Sequence, residues 1–357
     1  MAIINDPTAY FQTKLYTGGT IGAKTFDGNS NLKPDLFWSK KRGAAENHQV
    51  ADSVRGITNA LRTSTNGAEY TNAETDDLAS FDTNGFTFSG DGDTYNGTYL
   101  SASYVAWCWK AGTTGSGTTT GSGTGKAYSY SVDTTSGFSV TKYTGNGTAG
   151  HTIPHTLGVA PAMIIAKRLS ALEDWAVYHQ SLGASEYINL NTTNALVSST
   201  SRWNGVEPTS SVFTLGSHAS NNSNDDDFIA YCFAEKQGYS KFGLYTGNGN
   251  ADGTFVYTGF KPAFILGKNS NNASENWFIF DNKRDTFNTS YHQLFPNSST
   301  AEGTNIAQNI DILSNGFKCR SVETRFNGSG NTMIYMAFAE QPFVTSTTNG
   351  SIPATAR

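Results

Sequence analysis

Tyr245-Thr246-Gly247-Asn248-Gly249 opens the last third of the chain, and Met333-Ile334-Tyr335-Met336-Ala337-Phe338 closes it. Both have earlier counterparts. The opening returns as Tyr143-Thr144-Gly145-Asn146-Gly147 and as Tyr16-Thr17-Gly18-Gly19. The closing stretch returns as Phe228-Ile229-Ala230-Tyr231-Cys232-Phe233 and as Tyr104-Val105-Ala106-Trp107-Cys108-Trp109. A proline heading an apolar run lies between them each time, at Pro34, Pro161 and Pro262. The opening Tyr and this Pro are 18, 18 and 17 residues apart, and the opening Tyr and the last closing aromatic 93, 90 and 93. Differences that small belong in loops, so the chain is three copies of one framework.

Each closing stretch alternates at period 2. Val105, Trp107 and Trp109 share one face, as do Ile229, Tyr231 and Phe233, and Ile334, Met336 and Phe338. The other face is mostly small: Ala106 and Cys108, Ala230 and Cys232, then Ala337 and Ala339. Such alternation marks strands, and the large face is expected to fill the gap between two packed sheets. Short alternating runs bounded by Asn-Gly, Asp-Gly and Gly-Asn turns recur throughout, and no stretch keeps a helical apolar period. The expected fold is all-β, with three tandem antiparallel β-sandwich modules over 1–111, 127–237 and 238–345, and a tail over 346–357. Residues 112–126 include GTTGSGTTTGSGTG and no apolar side chain, and read as a flexible Gly/Thr/Ser linker that tethers the first module.

Composition narrows the function. Charged residues make up 15% of the chain, against about 25% in ordinary soluble domains. Net charge is −5 and the basic residues are dispersed, which argues against a nucleic-acid partner. No 18-residue apolar run exists, so no membrane insertion is expected. The first nine residues lack the apolar core of a secretion signal. The three cysteines, two in one column of different repeats, do not make a disulfide framework.

Few residues invite chemistry. Asp225, Asp226 and Asp227 form the densest acidic run and are a Ca²⁺ candidate, since Ca²⁺ takes about six to eight oxygen ligands. Asp91, Asp93 and Asn96 lie near the same place in repeat one. No other cofactor is expected. His151 and His155 have metal-like spacing, but Pro154 stands between them and a solvated loop is expected. Asp52 with Arg55, and Asp281 with Arg284, recur three apart and read as a surface ion pair or a ligand clamp; repeat two has His179 and Leu182 there. Trp203 beside Asn204 is a candidate platform for a sugar ring, or else a plug at the sandwich edge. No carboxylate pair recurs in all three repeats, so no enzyme is expected, and a polysaccharide depolymerase is the weakest alternative.

The YTGNG opening, the GFKPAFIL run, the NWFIFDNKR strand, the LSNGFK turn and the YMAFAE ending resemble repeated modules of marine bacteriophage virion proteins. WAVYHQSLG with NLNTT, and DSVRG with AWCWKAG, extend that resemblance over nearly the whole chain. The resemblance implies jelly-roll, concanavalin-like lectin sandwiches and a place on the virion surface after assembly in the host cytoplasm. It implies other virion proteins as partners, a homotrimer, and a tail-fibre adhesin that binds host surface polysaccharide. A capsid decoration or head-fibre protein is the alternative.

Overall fold

The computed structural model describes residues 3–71, 78–90 and 102–343. The chain is all-β: the described residues form six antiparallel sheets and only single-turn helices. One four-strand order recurs in every repeat: opening strand, closing strand, proline-led strand, fourth strand. In repeat one these are Phe11–Thr17, Ser103–Trp109, Leu36–Lys41 and Gln49–Asp52. In repeat two they are Phe138–Thr144, Asp227–Phe233, Met163–Arg168 and Ala176–His179. In repeat three they are Ser240–Thr246, Thr332–Pro342, Phe260–Asn269 and Phe278–Asp281. The register is shared too: Cys108 opposes Phe37, Cys232 opposes Ile164, and Ala337 opposes Ile265. A separate three-stranded sheet accompanies each set.

The closing strands do pack both faces, but the expected assignment of those faces is reversed. Ala106 and Cys108 lie with Phe37, Phe86 and Phe88 inside repeat one. Ala230 and Cys232 lie with Phe213 and Leu215 inside repeat two, and Ala337 and Ala339 with Phe317 inside repeat three. The three-stranded sheets bring Phe86, Phe88, Phe213, Leu215 and Phe317, and the neighbouring strand brings Phe37, so Ala or Cys is what fits against them. The large face points the other way. Trp107, Trp109, Tyr231, Phe233, Met336 and Phe338 all belong to one further core, which joins residues of all three repeats. Burying each such side chain contributes about 1.5–3 kcal/mol, so this core is a major part of the stability. Phe11, Trp109, Phe264 and Phe338 pack ring against ring within it, with centroids 4.9 to 6.4 Å apart.

The expected flexible linker is ordered structure. Thr113–Thr118 pairs with Ala127–Val132, which in turn pairs with the opening strand of repeat two. Thr120–Gly121 pairs with His151 and Thr152. Gly115 opposes Tyr130 and Gly117 opposes Tyr128, and a Cβ at either glycine would run into the tyrosine ring. The segment thus needs no apolar side chain of its own: its partner's rings cover it and its backbone is held by the ladder. Repeat one is therefore not set apart on a tether. It shares the common core.

Candidate functional site: the joints between repeats

Each proline-led strand carries a lysine six residues after its proline: Lys40, Lys167 and Lys268. All three are almost wholly buried. A buried ammonium needs acceptors, and the strand's own following turn provides them. Lys40 donates to the carbonyls of Lys41 and of Ala44, the latter at 3.1 Å. Lys167 donates to Arg168 and Ala171 at 2.6 and 3.3 Å. Lys268 donates to Asn269 and Asn272 at 2.8 and 3.4 Å, and to Thr193 of repeat two at 3.3 Å. Burial pushes each amine down to about 8.

The turns these lysines hold join one repeat to the next. The carbonyl two residues after the lysine accepts from a neighbouring repeat: Arg42 from Glu302, Leu169 from Glu69, and Ser270 from Leu196, at 2.8, 2.8 and 2.9 Å. The amide six residues after the lysine donates back: Glu46 to Ser299, Glu173 to Asn66, and Ser274 to Thr193, at 2.8, 3.0 and 3.1 Å. Repeat one thus holds repeat three, repeat two holds one, and three holds two. The arrangement closes on itself with the same pair of backbone bonds at every joint.

The Asp–Arg pairs belong to the same ring of contacts: they are the expected ion pairs, and each Asp holds its own turn, but they are buried and not at the surface. Asp52 ends the fourth strand of repeat one, with its side chain fully buried. It accepts from Arg55 Nε at 2.6 Å and from the Tyr231 hydroxyl of repeat two at 2.8 Å. Arg55 also donates to Glu69 at 2.8 Å. Asp281 accepts from Arg284 Nε at 2.6 Å and from the Trp107 indole of repeat one at 2.9 Å. Arg284 donates to Glu302 at 3.0 Å, and Arg42 reaches the same carboxylate at 2.8 Å. Burial opposes the Arg55 charge, and Asp52, Tyr231 and Glu69 overcome it, so the guanidinium is held charged. Burial likewise pushes the Glu302 carboxyl up, but Arg284 and Arg42 leave it below its usual range.

Repeat two shows why the pair is missing there. Tyr231 and Trp107 occupy one column of the closing strands, and its third member is Met336. Methionine has no proton to donate, so a carboxylate opposite it would be buried without that partner. His179 stands in the Asp position and takes the Tyr335 backbone carbonyl of repeat three instead, at 3.1 Å. Burial pushes it down to about 4, so it is neutral.

A family model described as a domain of unknown function, DUF7483, matches residues 6–342. The chain belongs to that family. No curated protein matches it. The matched span takes in all three repeats, which agrees with the shared core: the family's unit is the closed set and not one repeat.

The remaining sequence candidates fall outside the joints. Trp203 is not an exposed platform: it is 2% exposed and packs edge-on against Tyr178 and Phe213 inside repeat two. It plugs its own repeat, and Asn204 beside it donates its backbone N–H to Thr200. Asp225, Asp226 and Asp227 turn to separate cations, Lys126, Arg168 and Lys142. No three His, Cys, Asp or Glu side chains come near enough to share a metal among the described residues. Asp91, Asp93 and Asn96 lie outside those residues, as does the tail from 346. His151 and His155 are not in a solvated loop. Both are buried, His151 between Asn222 and Thr119 at 3.1 and 2.7 Å, and His155 against the Thr209 carbonyl at 3.1 Å. Cys108, Cys232 and Cys319 are buried free thiols. No helix of the described residues is long and apolar enough to cross a membrane.

The lysines were missed by the sequence reading above, although the signal was present. A lysine at one fixed distance from the proline in all three repeats, following an apolar run, is the mark of a buried cation with a structural task.

Proposed function

We propose that the protein is a non-enzymatic structural unit of a bacteriophage particle surface, with each sheet pair a jelly-roll sandwich of the concanavalin-like kind. One observation carries this reading: the buried carboxylates of Asp52, Asp281 and Glu302 each accept from a side chain of another repeat, Tyr231, Trp107 and Arg42. A body built this way is a rigid support, with loops and outer sheets left to meet partners. The resemblance to phage virion modules supplies the setting. Other virion subunits and host surface polysaccharide are the proposed partners.

The adhesin form of this reading has an observation in its favour. Phe255 and Tyr257, on one face of Phe255–Tyr257 in an outermost strand of repeat three, are 45% and 58% exposed. Exposed rings are suited to stacking against sugar CH groups, and they replace Trp203 as the place to look. Immunogold labelling of intact particles tests the proposal. Label at the tail supports an adhesin and label over the head a decoration protein; particles without label overturn both. Release of reducing ends from host polysaccharide would overturn the non-enzymatic part. The proposed homotrimer predicts a solution mass of three 38.3 kDa chains by light scattering, and a one-chain mass overturns it.

A further inference from the structure

The three joints are alike in their clasps but differ in what covers the opening strand beside them. At the joint of repeats one and two, that strand is Phe138–Thr144, and Ala127–Asp133 lies along its outer edge, with Ser131 opposite Val140 and Asp133 opposite Phe138. The added strand is tied across the joint. Ser131 Oγ donates to Asp35 Oδ1 at 2.9 Å, and Asp35 Oδ2 accepts from Ala111 N–H at 2.8 Å. At the joint of repeats two and three, the Gln180 side chain donates to the Phe242 carbonyl of the opening strand at 2.9 Å.

At the joint of repeats three and one, the opening strand Phe11–Thr17 is the outermost of its sheet. Its residues Phe11, Gln12 and Thr13 are the counterparts of Phe138, Ser139 and Val140. Ala263 stands for Asp35, and Asn282 for Ser53: the amide of Asn282 bonds the Ala263 carbonyl as Ser53 bonds Asp35 and Gln180 bonds Ala162. These residues line a groove of about 340 Å³. Thr13 is 5% exposed, and its hydroxyl is buried with no partner, in a column where the other repeats place Val140 and Phe242. The groove is therefore the position that Ser131–Asp133 fills one joint away. Its wall carries an orphaned hydroxyl that a second polar chain would satisfy.

We propose that this groove seats an extended polypeptide segment, which adds as a further strand to Phe11–Thr17. Outermost strands present unpaired backbone groups that recruit such segments. The occupant is set by the filled joint: a stretch of alternating small hydroxyl and aromatic residues like Ala127–Asp133. Its residue opposite Thr13 carries a hydrogen-bonding side chain, as Ser131 does opposite Val140. The Lys283–Asp27 ion pair runs from repeat three to repeat one beside the groove at 2.9 Å, and is exposed enough to yield to an entering chain. This inference stands apart from where the protein sits on a particle, since it concerns only what the edge accepts.

The test uses the full chain and a synthetic peptide, Lys126–Thr134 of this same sequence. Fluorescence anisotropy follows binding, and hydrogen exchange read by mass spectrometry locates it. Expected are saturable binding below millimolar peptide, slowed exchange confined to residues 11–17, and at least tenfold weaker binding after N-methylation of alternate peptide amides. No saturation at millimolar peptide overturns the proposal. So does binding that N-methylation leaves unchanged, or protection that falls on another outermost strand, such as 113–118 or 240–246. A groove that protects residues 11–17 with host oligosaccharide but not with peptide also overturns it.

Discussion

The phenolic hydroxyl of Tyr231 donates to Asp52 at 2.8 Å, joining the closing strand of repeat two to the fourth strand of repeat one. Asp52 also holds Arg55, so one carboxylate serves a neighbouring repeat and its own turn. Removing a partner from a buried pair costs about 3–5 kcal/mol, because the remaining charge stays buried. Asp52→Ala is expected to lower the unfolding free energy read from urea melts by that amount, and Asp281→Ala to match it. Tyr231→Phe removes only the hydroxyl and should cost about 1–3 kcal/mol. Equal effects from Asp52→Ala and Tyr231→Phe would show that Arg55 contributes nothing to the joint.

Repeat two offers the reverse experiment. His179→Asp places a carboxylate opposite Met336, which has no proton to donate, with Leu182 where an arginine would be needed and only the Ser181 amide that now bonds His179 left to it. It is expected to destabilise the fold by about 3 kcal/mol or more. The triple change His179→Asp, Leu182→Arg and Met336→Tyr rebuilds the chemistry of the other joints and should recover a large part of the loss. A triple variant no more stable than the single one would break the link drawn between these columns.

The three caged lysines titrate early. Their folded values near 8 lie below the 10.5 of a free lysine, so the fold favours the neutral amine. Their contribution to stability therefore rises as pH climbs from 8 to 10.5. Lysine Cε resonances followed by carbon NMR should show three that shift near pH 8. Three resonances that move together with the rest would remove the cages as described.

Histidine sets the acid side. Burial pushes His155 and His179 down to about 4, against 6.5 when unfolded. The unfolded chain takes up these protons first, so stability is lost as pH falls from 6.5 toward 4, on the order of 3 kcal/mol for each group. His179→Gln should flatten that acid limb in thermal melts between pH 7 and 4. An unchanged slope would show that His179 is already protonated in the fold.

Separated repeats should fail. Residues 1–111 alone would expose Trp107, Trp109 and Phe11, which the shared core now buries. Circular dichroism of that fragment is expected to lack a cooperative melt, and the fragment should aggregate. The intact chain, by contrast, should resist proteolysis between 112 and 126, where a true tether would be cut first.

The threefold framework was legible because indels fall in loops and strand columns keep their spacing. The proline, the opening Tyr and the closing aromatics predicted which strands would correspond. What the pattern concealed was direction. Period 2 says that Trp107 and Cys108 face opposite ways, but it does not say which way leads to a neighbouring repeat. Residues 112–126 were misjudged for a related reason: Tyr128 and Tyr130, which cover their glycines, lie outside that stretch. For Trp203, open between a platform and a plug, and for the Asp–Arg pairs, read as surface groups, the deciding neighbours are distant in sequence. Their neighbours in space are Phe213, Tyr231 and Trp107.

Most repeat arrays can grow, because every unit offers its next neighbour the face that the last one offered it. Here the turn after Lys40 is already taken by Ser299 and Glu302 of the final repeat. A fourth copy would find no seat without parting the first from the third.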